Sequence, residues 1–220
     1  MLEGDAHGPA RGGYATSGNG SDWTKYAGNP LPGLEPGLPG AWDDYGVFPS
    51  AIVFDGANYR MWYIGWGGDP DPWVAPHAIG YAVSANGIDW SKRPDPVLEA
   101  TVPWENNKVY DPEVVPWGDG FAMWYSGAST SGSSVGYAVS PGDPEFGVDW
   151  RKWTGNPVIT PVGCNAVDST AVLVEGDVLH AWVSNCWDDI WHLTSSPLDA
   201  ASFFDGFESG DTGVWGTVVP

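Results

Sequence analysis

Three stretches of the chain are copies of one another: Tyr59-Arg60-Met61-Trp62-Tyr63-Ile64-Gly65, Phe121-Ala122-Met123-Trp124-Tyr125-Ser126-Gly127 and, more degenerate, Leu179-His180-Ala181-Trp182-Val183-Ser184-Asn185. Each is a short apolar run bounded by turn residues, the pattern of a strand rather than a helix. The same neighbours flank each copy in the same order. Ahead of it stand FPSAIVF (48–54), DPEVVPW (111–117) and DSTAVLV (168–174). Behind it stand IGYAVS (79–84), VGYAVS (135–140) and IWHLTS (190–195). A fourth element joins a Trp to a later Asn-Pro or Asp-Pro: SDWTKYAGNPL (21–31), IDWSKRPDPVL (88–98) and VDWRKWTGNPVI (148–159). The period is about 60 residues, and a fixed period is the mark of a repeat architecture.

Each unit therefore holds four short strands, which predicts an all-β chain of β-propeller blades. A β-sandwich has no reason to repeat at a fixed interval. The expected organisation is an extended N-terminal segment over 1–20, blades over 21–200 and a C-terminal tail over 201–220. The third unit lacks a fourth element, whereas the chain opens on an isolated one. Residues 21–32 are thus expected to complete the last blade and cover its open edge. Three blades fall short of the roughly four to eight of closed rings. A homodimer, each N-terminal strand completing its partner's last blade, would give six.

Composition agrees with many turns between strands: the 220 residues include 31 Gly and 20 Pro. Only 8 Lys and Arg stand against 28 Asp and Glu, a formal charge of −20. Such a surface repels phosphates, which excludes nucleic acid and anionic membranes as partners. It suits neutral ligands and cations. The 15 Trp supply core, and where exposed they offer flat faces for sugar rings. Of these, Trp62, Trp124 and Trp182 lie inside the repeated elements and are expected in the core. Trp42, Trp66, Trp73, Trp104 and Trp187 lie in loops and are the candidate substrate-binding aromatics. The loop 66–76 is the longest insertion of its kind and a candidate pocket rim. His192 stands where the other units have Tyr81 and Tyr137, and reads as a packing residue. Cys164 and Cys186 match no zinc or redox spacing. A disulfide between them suits an exported protein, and two free thiols suit a reducing cytosol. No cofactor is required by any motif; calcium is the cation that a ring of carboxylates would suit.

The elements Met-Trp-Tyr-x-Gly, Gly-Tyr-Ala-Val-Ser and Asp-Trp-x-Lys…Asn-Pro-Val resemble those of the five-bladed propellers of glycoside hydrolase families 43 and 32, over about residues 21–195. Separately, FFDGFESGDTGVW (203–215) resembles a C-terminal tail of exported bacterial proteins, implying a secreted, extracellular or periplasmic protein. The resemblance implies cleavage of glycosidic bonds in a neutral poly- or oligosaccharide by paired carboxyl groups. It places a catalytic Asp at an Asp-Pro step where an innermost strand begins, a second Asp at the same place of another blade, and a Glu as general acid. Asp111 in Val-Tyr-Asp-Pro-Glu matches the first and Asp168 the second. The first unit has Phe48 there, with Asp43 and Asp44 just upstream. Glu113 and Glu105 are the nearest acidic residues to the missing acid, and the catalytic candidates are Asp111, Asp168, Asp44 and Glu113. The chemistry is apt, since glycoside cleavage needs one carboxyl group to donate a proton and another to activate water or attack the sugar. The alternative reading is a non-catalytic propeller that binds glycan or protein through its loop Trp residues.

Overall fold

The computed structural model describes residues 9–129, 132–141, 147–176, 178–186, 189–195 and 215–219. They form two units, Met1–Pro96 and Val97–Pro220. In the first, a hairpin of β1 (Ala15–Thr16) and β2 (Thr24–Lys25) precedes a four-stranded antiparallel meander of β3 (Gly46–Phe54), β4 (Tyr59–Trp66), β5 (His77–Ser84) and β6 (Ser91–Lys92). The second unit holds two such sheets. One runs through β7 (Val109–Trp117), β8 (Gly120–Ser129), β9 (Gly132–Ser140) and β10 (Arg151–Lys152). The other runs through β11 (Val167–Glu175), β12 (Val178–Asn185), β13 (Asp189–Ser195) and β14 (Trp215–Val219). Four-stranded antiparallel sheets at the sequence period are what the repeat predicts. Among the described residues no helix is long and apolar enough to cross a membrane.

One pairing departs from the sequence reading. Thr24–Lys25 pairs with Ala15–Thr16, and the outer place of the third sheet is taken by Trp215–Val219 beside β13. A strand some twenty residues further along the chain closes a shorter loop than one from the N-terminus, at smaller entropic cost. Residues 15–16 lie in the segment expected to be extended, and they form a strand because Tyr14 and Asn29 lock the hairpin. Asn29 Oδ1 accepts from Tyr14 N at 2.8 Å and Asn29 Nδ2 donates to Tyr14 O at 2.8 Å.

The repeated residues explain one another. Trp62 and Trp124 are fully buried. Each removes about 200 Å² from water, a transfer term on the order of 5 kcal/mol. Tyr63 and Tyr125, also fully buried, lie against strands that carry glycine opposite them. A Cβ on Gly80 would stand 2.1 Å from the Tyr63 ring, and one on Gly136 would stand 2.5 Å from that of Tyr125. A second ring lies over each tyrosine. Trp42 stacks on Tyr63 at 5.8 Å and Trp104 on Tyr125 at 5.9 Å. These indoles in turn cover Gly65 and Gly127, where a Cβ would come within 2.3 Å of them. The glycines of Trp-Tyr-x-Gly and Gly-Tyr-Ala-Val-Ser are thus the bare floor on which Tyr and Trp rest.

Under each stack sits an acid and a lysine. Glu105, with no exposed surface, accepts from Tyr125 Oη at 2.8 Å, from Lys152 Nζ at 2.7 Å and from Thr101 N at 2.7 Å. Lys152 Nζ also donates to Glu99 O at 2.5 Å. In the first unit Asp43 accepts from Tyr63 Oη at 3.2 Å and from Lys92 Nζ at 2.6 Å. Lys92 donates further to Glu35 O at 2.7 Å. The Lys of Asp-Trp-x-Lys therefore ties the short outer strand to the loop ahead of the innermost one. Burial pushes the Lys152 ammonium below its ordinary range, and Glu105 opposes the shift. The third sheet has Val183 in place of the tyrosine and no such lysine; there Cys164 and Cys186 form a disulfide with Cα atoms 5.6 Å apart. Trp182, expected in the core, is 37% exposed and stacks on His192 at 4.8 Å. Trp62 and Trp124 lie instead against Tyr81 and Tyr137, on the face opposite Tyr63 and Tyr125.

Candidate active site

In each sheet the innermost strand is irregular near its start. The register shifts between Pro49 and Ala51 in β3, between Tyr110 and Glu113 in β7, and between Asp168 and Thr170 in β11. Such bulges re-aim side chains and collect near active sites. At the second of them Asp111 has φ of 46°, the left-handed region that costs a non-glycine residue about 1 kcal/mol. The Asp-Pro step favours this break, because Pro112 offers no backbone N–H to the ladder.

Tyr110, next to Asp111 in the chain, meets Asp168 of the following sheet. Tyr110 Oη donates to Asp168 Oδ2 at 3.4 Å, and Ser133 Oγ donates to the same oxygen at 3.2 Å. The Tyr110 hydroxyl is held well above its usual range, first by burial and then by the charges of Asp168 and Asp111. Glu113 lies deeper along β7, half-buried, and its Oε1 accepts from Val172 N of β11 at 3.4 Å. Burial raises its pKa above the ordinary carboxylate value, against the lowering effect of the Val172 amide. Carboxyl groups in unlike surroundings, one of them with a raised pKa, are what acid–base assignments at a glycosidic bond call for.

A cleft of about 540 Å³ opens beside Ser133, walled by Trp104, Gly132, Ser134, Cys164 and Asn165. Trp104 is thus both the cover of Tyr125 and a wall of the cleft. Its indole Nε1 is buried without a hydrogen-bond partner among the described residues.

The remaining candidates lie in the first unit. Asp44 ties its own loop to the 66–76 loop, with Oδ2 accepting from Gly40 N at 2.7 Å and Oδ1 from Gly68 N at 3.0 Å. Trp42 donates from Nε1 to Pro94 O at 2.9 Å beneath its stack on Tyr63. Trp66 packs over Gly46, where a Cβ would meet its ring at 2.1 Å. Trp73 is 79% exposed on the 66–76 loop. Trp187 lies outside the described residues. No group of three or more His, Cys, Asp or Glu among the described residues is placed to hold a metal ion. Tyr110 and Ser133 were missed by sequence reasoning. Tyr110 had a signal, since it adjoins Asp111, but Ser133 lies in a Ser-Gly-Ser-Ser stretch that reads only as a turn.

The chain was compared with known proteins. Residues 46–141 match the family model described as beta-1,4-mannooligosaccharide phosphorylase, glycoside hydrolase family 130. That is a different family from the two resembled in sequence, and the match takes in less than half of the chain. An uncharacterized protein of Mycobacterium tuberculosis is 33% identical over 104 residues, which are 46% of this chain and 32% of that protein. The beta-1,2-mannobiose phosphorylase of Thermoanaerobacter sp. is 26% identical over 112 residues, 47% of this chain and 36% of that enzyme. The chain spans about a third of the length of these curated relatives. Among solved structures, a family 117 glycoside hydrolase of Zobellia galactanivorans superposes with a TM-score of 0.62 at 19% identity, over 84% of this chain and 52% of that one. The likeness shows the fold, the propeller-like arrangement of four-stranded sheets found in glycosidases.

Proposed function

We propose that the chain carries the carboxylate-bearing part of a carbohydrate-active enzyme, one that cleaves a glycosidic bond of a neutral oligosaccharide. The observation that carries this reading is the set of three carboxyl groups in unlike surroundings on two neighbouring inner strands. Glu113, whose pKa burial raises, is the group that donates to the leaving glycosidic oxygen. Asp111, set at a strained bulge, is the carboxylate that activates the attacking group. Asp168, fixed by Tyr110 and Ser133, orients the sugar and holds Tyr110 in place. Trp104 supplies an apolar wall beside the cleft on which a sugar ring can stack.

Water and inorganic phosphate are the two candidate attackers. The matched family description favours phosphate. The second unit favours water: its only Lys and Arg in sequence are Lys108, Arg151 and Lys152, and Lys152 is committed to Glu105. Incubation with neutral oligosaccharides, with and without phosphate, separates the two by whether free sugar or sugar 1-phosphate appears. Loss of both products in Asp168→Asn and Asp111→Asn variants that remain folded is expected. Retention of full activity in either variant overturns the assignment. Saturable glycan binding without turnover, lost on replacing Trp104, is the outcome that would select a binding module instead.

The reading includes export, which the disulfide of Cys164 with Cys186 supports. Dimerisation by exchange of residues 21–32 would require Trp215–Val219 to leave the edge of β13. Light scattering on the whole chain measures it directly.

A further inference from the structure

The N-terminal hairpin repeats the outer half of the complete sheets, residue for residue. Gly13-Tyr14-Ala15-Thr16-Ser17 copies Gly80-Tyr81-Ala82-Val83-Ser84 and Gly136-Tyr137-Ala138-Val139-Ser140. The register is the same in all three: Ala15 faces Lys25, Ala82 faces Lys92, and Ala138 faces Lys152. The next bond is the same as well, from Tyr26 N to Tyr14 O, Arg93 N to Tyr81 O and Trp153 N to Tyr137 O, at 2.9, 2.8 and 3.0 Å. The turn is shared too. Trp23, Trp90 and Trp150 each donate from Nε1 to the glycine carbonyl three residues back.

What differs is the inner half. Strand β5 has β4 on its other edge and β9 has β8, whereas β1 belongs to a sheet of two strands. The residues that the inner half would cover are open. Trp23 is 61% and Tyr14 is 40% exposed, against 7% for Trp90, 7% for Tyr81 and 2% for Tyr137. Lys25 is exposed, whereas Lys92 and Lys152 end on a buried carboxylate under a Tyr and Trp stack.

We propose that this hairpin is the receptor half of a further four-stranded sheet. Its β1 edge takes a strand pair of the β3–β4 or β7–β8 type, supplied by another polypeptide segment. The two complete copies define the occupant's chemistry. It has a Trp-acid loop whose carboxylate receives Lys25, and a Trp-Tyr strand whose Tyr rests on Gly13. A second copy of this chain has no such strand to offer, because β4, β8 and β12 already pair on both edges. Charge is complementary locally, since Lys25 holds the place from which Lys92 and Lys152 reach Asp43 and Glu105.

The probe is a synthetic peptide with the sequence of residues 41–66, and the readout is hydrogen exchange at the Ala15 amide. Tyr14 spends its N–H and C=O on the hairpin side, so strand alternation turns Ala15 N–H toward the open edge. Saturating peptide is expected to slow Ala15 exchange to the rate of Ala82, its counterpart in β5. Lys25→Met in the protein, or Asp43→Asn in the peptide, is expected to weaken binding roughly tenfold, the usual worth of a charge-assisted bond. Lys25 is exposed, so the variant folds. As a second arm against peptide insolubility, residues 41–79 are joined directly ahead of Gly13 in the whole chain, which imposes the same pairing. Unchanged Ala15 exchange in the fusion overturns the proposal, and so does peptide binding indifferent to both substitutions.

Discussion

Replacing Lys152 by Met leaves Glu105 as a charge without its counter-ion at a site with no exposed surface. Three donors remain: the Tyr125 hydroxyl and the amides of Thr101 and Val102. They cannot replace a full positive charge at 2.7 Å. Removing one partner of a buried pair typically costs about 3 to 5 kcal/mol, because the other is left uncompensated. The double variant Lys152→Met/Glu105→Gln removes the stranded charge as well. It is expected to recover most of that loss, as replacing a whole buried pair is often near neutral. Urea unfolding at neutral pH measures all three proteins, with the shift in midpoint read at constant slope. A single-variant loss below about 1 kcal/mol, the range of an exposed pair, would refute the reasoning. A double variant no better than the single one would refute it too, by showing that packing rather than charge sets the cost.

Other outcomes follow from the candidate site. Since the Glu113 pKa is raised in the folded chain, its protonation stabilises the fold fully below the unfolded value of about 4.3, and that gain is lost as pH rises through the folded pKa. A glycosidase rate that depends on Glu113 as acid therefore falls on the alkaline side of the ordinary carboxylate range. Glu113→Gln is expected to remove this limb of the pH–rate profile together with most of the activity. Asp111→Gly relieves the positive φ, so thermal melting is expected to show a gain of about 1 kcal/mol while turnover is lost; melting below wild type would count against the strain argument. Reducing the link between Cys164 and Cys186, or replacing both by Ser, is expected to cost about 3 kcal/mol for a loop of this size, read by urea unfolding.

The repeat was legible because period and strand pattern survive in sequence: the first three expected strands of every unit, and the fourth of the first two, appear within the sheets. Asp111 and Asp168 were picked through their matched positions in the repeat, and Asp168 meets Tyr110, the chain neighbour of Asp111. The Lys of Asp-Trp-x-Lys was visible as a repeat, but its role was not. Its partners Asp43 and Glu105 lie about fifty residues upstream, in loops whose lengths differ. The same separation hid a second role of the loop tryptophans Trp42 and Trp104, which read as candidate sugar platforms and also cover Tyr63 and Tyr125. The partner of Thr24–Lys25 was misjudged because the fourth element was recognised without the Gly-Tyr-Ala-Thr-Ser strand ahead of it. With Gly13 to Ser17 aligned on Gly80 to Ser84, the hairpin becomes readable from sequence alone. Strand β14 carried no repeat signal, and its pairing rests on the open edge of β13.

The most direct test is a structure of the Glu113→Gln variant soaked with a neutral oligosaccharide that the wild-type protein cleaves. The account predicts a sugar ring against Trp104, with the glycosidic oxygen within hydrogen-bond distance of residue 113 and Asp111 and Asp168 flanking the ring. A sugar bound at another surface, with the cleft beside Ser133 unoccupied, would contradict it.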